Sequence, residues 1–276
     1  MRRNAMRSAE LRAKTEADFH NSAYEGKVRK TASSFYELMD NCSRYYRQFL
    51  KVHCAGKRVL EYGCGENSVA PFLLNNGVSS YVGIDISSVA VDEAEKSREG
   101  GGHPVDRVKY HVMNAEALEF EDNSFDLICG VAILHHLDLE KAYSEIARTL
   151  RPGGAAIFLE PLAYNPFINL YRRLTPHLRT PDEHPFLMRD IKMAESSFGG
   201  VETRFYNLFT LLSLVSSRTS LFPVLRRGLD RVDRGVFNCC PPLRRYAWTV
   251  SLVLTSPLKS ASPRVFVGKA GSPTEL

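Results

Sequence analysis

The stretch "VLEYGCGENSVA", Val59 to Ala70, ends an apolar run on a carboxylate, Glu61, places Gly63 and Gly65 behind it, and then moves into a helix start. A continuous apolar run bounded by turn residues reads as a strand buried on both faces, as in a parallel sheet. Glycines directly after it allow the backbone to approach a ligand closely. A dinucleotide turn needs a third glycine where Ser68 stands, and a phosphate loop needs Gly-Lys-Ser or Gly-Lys-Thr, which does not occur. Glu61 would also repel pyrophosphate, whereas it suits a ligand with a positive centre.

Outward from this turn, apolar blocks alternate with helical patterns, the signature of βαβ units. Strands are expected at Lys57–Tyr62, Tyr81–Asp85, Val108–Met113, Phe125–Gly130 and Ala155–Glu160, with helices at Val69–Asn75, Val89–Ser97 and Leu139–Leu150. A longer amphipathic segment, Phe35–Val52, precedes the first strand. After Glu160 the rhythm changes, because Pro161–Phe186 holds five prolines in 26 residues and cannot be one regular element. A helix at Met188–Ser197, a strand at Val201–Asn207, a helix at Leu208–Arg227 and a last strand at Trp248–Leu254 are expected to follow. The tail from Ser256 reads as loose.

"VLEYGCGENS" resembles the first motif of class I S-adenosylmethionine-dependent methyltransferases, whose acid-x-Gly-x-Gly turn holds the methionine part of the cofactor. The second motif follows in "YVGIDIS", with Asp85 ending the second strand beside Ile86, where the resemblance implies a carboxylate accepting the ribose hydroxyls. Read alone, Asp85 could equally cap the next helix. "MNAEALEFEDNSFDLI" resembles the family's adenine segment, with Asn114 in place of the usual Asp, Ala115 offering a backbone amide, and Glu116 read as solvated. "FDLICGVAILHHL" and "LRPGGAAIFLEP" complete the pattern over residues 57–161. The resemblance implies a Rossmann-like α/β fold: a mostly parallel seven-stranded sheet, helices on both faces and a cap inserted after strand five. Its cofactor would be S-adenosyl-L-methionine, held by Glu61, Gly63, Gly65, Asp85, Ile86, Asn114, Ala115 and Gly130.

The expected organisation is an N-terminal helical segment (1–56), a cofactor core (57–160), a substrate cap (161–200), a C-terminal part of the sheet with an apolar and basic helix (201–256), and a tail (257–276). Methyl transfer is a direct displacement, so a base is needed only where the nucleophile must lose a proton. Candidates are His135 and His136 after strand four, Glu160 after strand five, and His177, Glu183 and His184 in the cap, where "TPDEHPF" carries titratable groups on a proline-fixed turn. In this family the "LHHL" pair reads more often as structural. Asp126 belongs to a strand and Asp138 to a helix start, so no converging carboxylate set is seen after strands four and five and no metal is expected. The six cysteines show no zinc-type spacing.

The chain has 276 residues, 44% hydrophobic, with a net charge of +5. Residues 1–30 carry 8 basic and 4 acidic side chains, residues 31–200 carry 17 and 23, and residues 201–276 carry 11 and 4. Basic ends can face phosphate in nucleic acid or in an anionic membrane. Methylases of exocyclic base or amide nitrogens in the superfamily usually carry Asn/Asp-Pro-Pro-aromatic after strand four; this chain has "CGVA", and nucleic acid is not the expected acceptor. The reading is methylation of oxygen or carbon of a hydrophobic or lipid-linked small molecule. C-methylation of an isoprenoid or quinone, O-methylation of a sugar, and a non-catalytic cofactor-binding partner subunit stand as alternatives. The N-terminus lacks the apolar core of a secretory signal, so a cytoplasmic location is expected, with membrane contact through the basic C-terminal region.

Overall fold

The apolar runs form seven strands: β1 (Arg58–Tyr62), β2 (Ser80–Asp85), β3 (Val108–Val112), β4 (Phe125–Val131), β5 (Leu150–Pro161), β6 (Phe198–Tyr206) and β7 (Thr249–Pro257). This computed structural model describes residue 11 and residues 14–22, 38–65, 68–101, 106–175 and 185–259. The strands pair in the order β3-β2-β1-β4-β5-β7-β6. β1 to β5 run parallel, and β7 lies antiparallel between β5 and β6. β1 sits between β2 and β4, so the strand order reverses beside it, and in an open α/β sheet a crevice opens beyond the strand ends at that point.

Both sheet faces are covered, which is why the central strands need no polar alternation. On one face, α1 (Asp40–His53) buries Cys42, Tyr46 and Leu50, a stripe at four-residue spacing, beside Leu73 of α2 (Ala70–Asn75) and Val91 and Ala94 of α3 (Ser88–Gly100). The opposite face receives Ala142, Tyr143 and Ile146 of α4 (Leu139–Thr149), Ile191 of α6 (Met188–Met193) and Phe237 of α7 (Phe222–Cys239). α5 (Pro166–Leu174) follows β5, and its Ile168 packs with Leu38, Leu211 and Phe222 in a third cluster. No described helix is long and apolar enough to cross a membrane.

The structure corrects several expected boundaries. The helix expected at Leu208–Arg227 is two elements, a 3-10 helix at Thr210–Ser216 and α7 from Phe222. The break has two causes. Asp233, 1% exposed, reaches back from α7 and accepts Leu208 N at 3.0 Å, Phe209 N at 2.7 Å, Thr210 N at 3.2 Å and Thr210 Oγ1 at 2.6 Å, capping the short helix. Pro223, which cannot sit in a helix interior, occupies the first turn of α7. The Met188–Ser197 helix ends at Met193 and tightens into a 3-10 turn at Ala194–Ser196. β7 continues to Pro257, past the expected end at Leu254 and the expected start of the tail, because it pairs along its length with β6. The amphipathic segment expected at Phe35–Val52 is helical over Asp40–His53, and its residues 35–37 lie outside the described residues.

Candidate active site at the carboxyl ends of the strands

The turn after β1 is built on two glycines in the left-handed region, Gly63 at φ +64° and Gly65 at φ +48°. A Cβ on Gly63 would also stand 3.0 Å from Ile133 Cδ1 of the turn after β4. Glu61, 4% exposed, does not point into open solvent. Its carboxylate accepts Ser68 Oγ at 2.9 Å, Val69 N at 3.1 Å and the hydroxyl of Tyr81. The acid therefore holds the far side of the turn and the start of α2 in place. Burial pushes its pKa up to about 7, against the lowering effect of Tyr81, Ser68 and Val69. The approach of Tyr81 and Tyr110 requires Gly83, where a Cβ would meet Tyr110 Cδ1 and Tyr81 Oη at 2.7 Å.

Asp85 ends β2 half-buried and ties the turn to the second strand, accepting Gly65 N on Oδ2 at 3.0 Å and Ser87 N on Oδ1 at 2.9 Å. Each carboxylate oxygen has two lone pairs, so both keep acceptor capacity for a ligand hydroxyl. The cap of α3 is Ser87, whose Oγ accepts Ala90 N at 3.1 Å; Asp85 is not the cap. Ile86 follows half-buried. After β3, Asn114 is half-buried and its Oδ1 accepts Glu116 N at 2.9 Å, next to buried Ala115. Glu116 is not solvated as expected: it accepts Asp138 N at 2.8 Å at the start of α4 and lies 3.7 Å from Lys141 Nζ.

Gly130 closes β4 against Ile133 and Phe158, leaving no room for a Cβ, which would stand 2.9 Å from Ile133 Cγ2. Ala132, two residues on, has φ +54°, an uncommon conformation for alanine. The backbone then forms a 3-10 turn, Leu134–His136, whose donors are met from the neighbouring strand. Glu160, fully buried at the end of β5, accepts Ile133 N at 3.0 Å and Leu134 N at 2.9 Å on Oε1. Its Oε2 lies 2.8 Å from His135 Nδ1, and His135 is itself buried. The structure thus joins two candidate bases into one pair. His177, Glu183 and His184 lie outside the described residues. Asn165 of the cap is buried as the cap of α5, accepting Phe167 N and Ile168 N at 3.1 Å.

Sequence reasoning missed the polar cluster behind Glu61. Its only sequence signal is the tyrosine–glycine spacing of "YVGID" opposite "VKYHV". It also missed Asn21, whose Oδ1 accepts Ser87 Oγ at 2.6 Å from an N-terminal helix distant in sequence.

A glycine turn at the topological switch point, an acid closing the neighbouring strand and an amide after the third are the features that carry the resemblance to class I S-adenosylmethionine-dependent methyltransferases, and they fall within or beside residues 60–158. That segment matches the family model described as "Methyltransferase domain". The chain is 30% identical over 123 residues to phthiotriol/phenolphthiotriol dimycocerosates methyltransferase 1 of Mycobacterium ulcerans, covering 44% of each chain. It is 32% identical over 123 residues to sterol 24-C-methyltransferase erg6 of Aspergillus fumigatus, covering 44% of this chain and 32% of that protein. The match thus spans less than half the length of these relatives. Its fold is similar to that of geranyl diphosphate C-methyltransferase from Streptomyces coelicolor in complex with Mg2+, geranyl diphosphate and S-adenosyl-L-homocysteine, with a TM-score of 0.54, 15% identity, and coverage of 77% of this chain and 79% of that one.

Proposed function

We propose that this protein transfers a methyl group from S-adenosylmethionine to oxygen or carbon of a hydrophobic or lipid-linked small molecule. The observation that carries the reading is the convergence, on adjacent strand ends, of the Gly63–Gly65 turn, Asp85 with acceptor capacity left, and the His135–Glu160 pair. The acceptor class is supported by the relatives, whose names specify a phthiotriol lipid and a sterol.

The residues present fit the cofactor. Asp85 can take the ribose hydroxyls, Asn114 and Ala115 can meet the adenine, the glycine turn with Ile86 and Gly130 can line the remainder, and Glu61 supports the turn from behind. When bound, the cofactor supplies an electrophilic methyl group on a sulfonium. The chain's part is to hold the acceptor in line with that group and, for a hydroxyl or an acidic carbon, to take a proton. His135 is suited to this, because Glu160 fixes its ring through Nδ1 and would stabilise the imidazolium formed at Nε2. Residues 161–200 are assigned to the acceptor, with Glu183 and His184 as further groups that orient it.

The test is turnover of labelled cofactor with lipid extracts, set beside cofactor affinity. His135→Ala and Glu160→Gln should each lower turnover by about 10²-fold, the scale of a lost general base, with affinity for S-adenosylhomocysteine nearly unchanged. Equal losses of binding and turnover would make the pair structural and move the base to Glu183 or His184.

A lipid-like acceptor also calls for access to a membrane, and peripheral contact at the cytoplasmic face is part of this reading. α5, the 3-10 helix and α7 meet through Ile168, Leu211 and Phe222, and they leave Phe167, Leu170, Leu174, Val215, Leu221 and Val224 exposed. Arg173 of α5 and Arg227 of α7 stand exposed, as does Arg218 in the turn between the 3-10 helix and α7. Apolar side chains interleaved with arginine suit an anionic bilayer surface.

A further inference from the structure

Residues 14–22 are helical and run across the strand ends, fastened at one end by the Asn21–Ser87 contact. Glu16 and His20, four apart and so on one helix face, meet His136 of the turn after β4. Glu16 Oε2 lies 3.4 Å from His20 Nε2 and 3.6 Å from His136 Nδ1, and one ligand atom from each of the three falls within 4.8 Å of the others. Glu16 is 6% exposed, and neither of its carboxylate oxygens has a hydrogen bond among the described residues. A buried carboxylate without donors is costly unless a positive charge faces it.

We propose that Glu16, His20 and His136 bind one divalent first-row transition-metal ion of the zinc type, which ties the N-terminal helix to the turn carrying His135. Tetrahedral coordination at zinc–nitrogen and zinc–oxygen distances of about 2.0–2.1 Å sets ligand separations of about 3.3 Å; the two carboxylate–imidazole spacings, 3.4 and 3.6 Å, lie within tenths of an ångström of this, and the two imidazoles close on each other from within 4.8 Å. Two imidazoles and one carboxylate select zinc, cobalt or iron(II) over magnesium or calcium, which take oxygen ligands. The metal-free expectation from the sequence concerned carboxylates after strands four and five. This set is different, because two of its three members arrive on a helix that only the fold brings over the site. His136 lies against His135 with ring centroids 4.2 Å apart and planes tilted by 38°, so the ion and the proposed base share one turn.

The experiment uses the full chain, stripped with chelator and titrated with Zn2+ against a chromophoric competitor, then with Co2+ while visible absorption is followed. One equivalent should bind, and Co2+ should give the absorption of a nitrogen- and oxygen-ligated site of low coordination number. Glu16→Gln and His20→Ala should each weaken Zn2+ binding at least tenfold. His53→Ala, at an exposed histidine on α1, should change nothing. Hydrogen exchange of residues 14–22 should slow on Zn2+ addition. The idea is overturned if no equivalent binds, or if binding survives in the Glu16→Gln/His20→Ala double variant. None of these readouts needs methyl transfer, so failure here and failure of the functional reading are distinguishable.

Discussion

Glu61 and Asp85 end neighbouring strands with the same functional group and different surroundings, and this difference sets what each does. Asp85 is half-buried with lone pairs to offer, so Asp85→Ala should weaken S-adenosylmethionine binding at least tenfold, about 1.4 kcal/mol, in calorimetry. Unchanged affinity would remove it from the ribose. Glu61 is buried among loop donors, and its carboxyl is pushed up from 4.5 to about 7. A carboxyl with a raised folded-state pKa favours the folded state most below its unfolded value, and that advantage is lost as pH rises through the folded value. Stability should therefore fall between about pH 4.5 and pH 7 by on the order of 3 kcal/mol from this group, and Glu61→Gln should lack that slope. Denaturant melts at pH 5 and pH 7.5 decide it; equal slopes in both proteins would mean that Glu61 is ionised throughout.

At the level of elements, short helices in this protein are held by buried acids and amides reaching from other elements. Asp233 of α7 caps the 3-10 helix at Thr210–Ser216, and Glu160 of β5 caps the turn at Leu134–His136. Asp233→Ala would strand backbone and hydroxyl donors in a buried position, so it should lower stability by about 2–4 kcal/mol in a denaturant melt. A loss under 0.5 kcal/mol would show that the 3-10 helix is held by Leu211 and Phe222 packing alone. The seven strands were legible in the sequence, because buried parallel strands read as apolar runs and Gly and Pro mark their ends. The break between Ser216 and Phe222 was not, since "FTLLSLVSSRTSLFPVLRR" keeps helical spacing of its apolar residues throughout. Pro223 was visible in the sequence as a first-turn residue, but the acid that caps the 3-10 helix at Leu208–Thr210 arrives from the following helix.

For the whole molecule, the open question of the basic C-terminal third resolves into two faces of α7. Phe222 and Phe237 are buried, and Arg226 Nη1 pairs with Asp40 of α1 at 3.0 Å, so part of the helix is packed as a surface helix would be. Val224, Arg227, Arg231 and Val232 remain exposed. Co-sedimentation with vesicles should therefore require anionic lipid and weaken as salt rises from about 0.05 to 0.5 M, through screening of the arginines. Val224→Glu/Leu221→Glu should abolish it, whereas binding to neutral vesicles at equal strength would contradict an electrostatic contribution. By itself the sequence determined the sheet, its parallel core and the glycine turn with its two acids, because these depend on local periodicity and on residues close together in the chain. Only the tertiary structure decided that Glu61 faces the loop rather than solvent, that His135 and Glu160 form one pair, and that Glu16 and His20 reach His136. Each of these joins residues on different elements, and burial and partners at that range are set by how the elements pack rather than by any spacing along the chain.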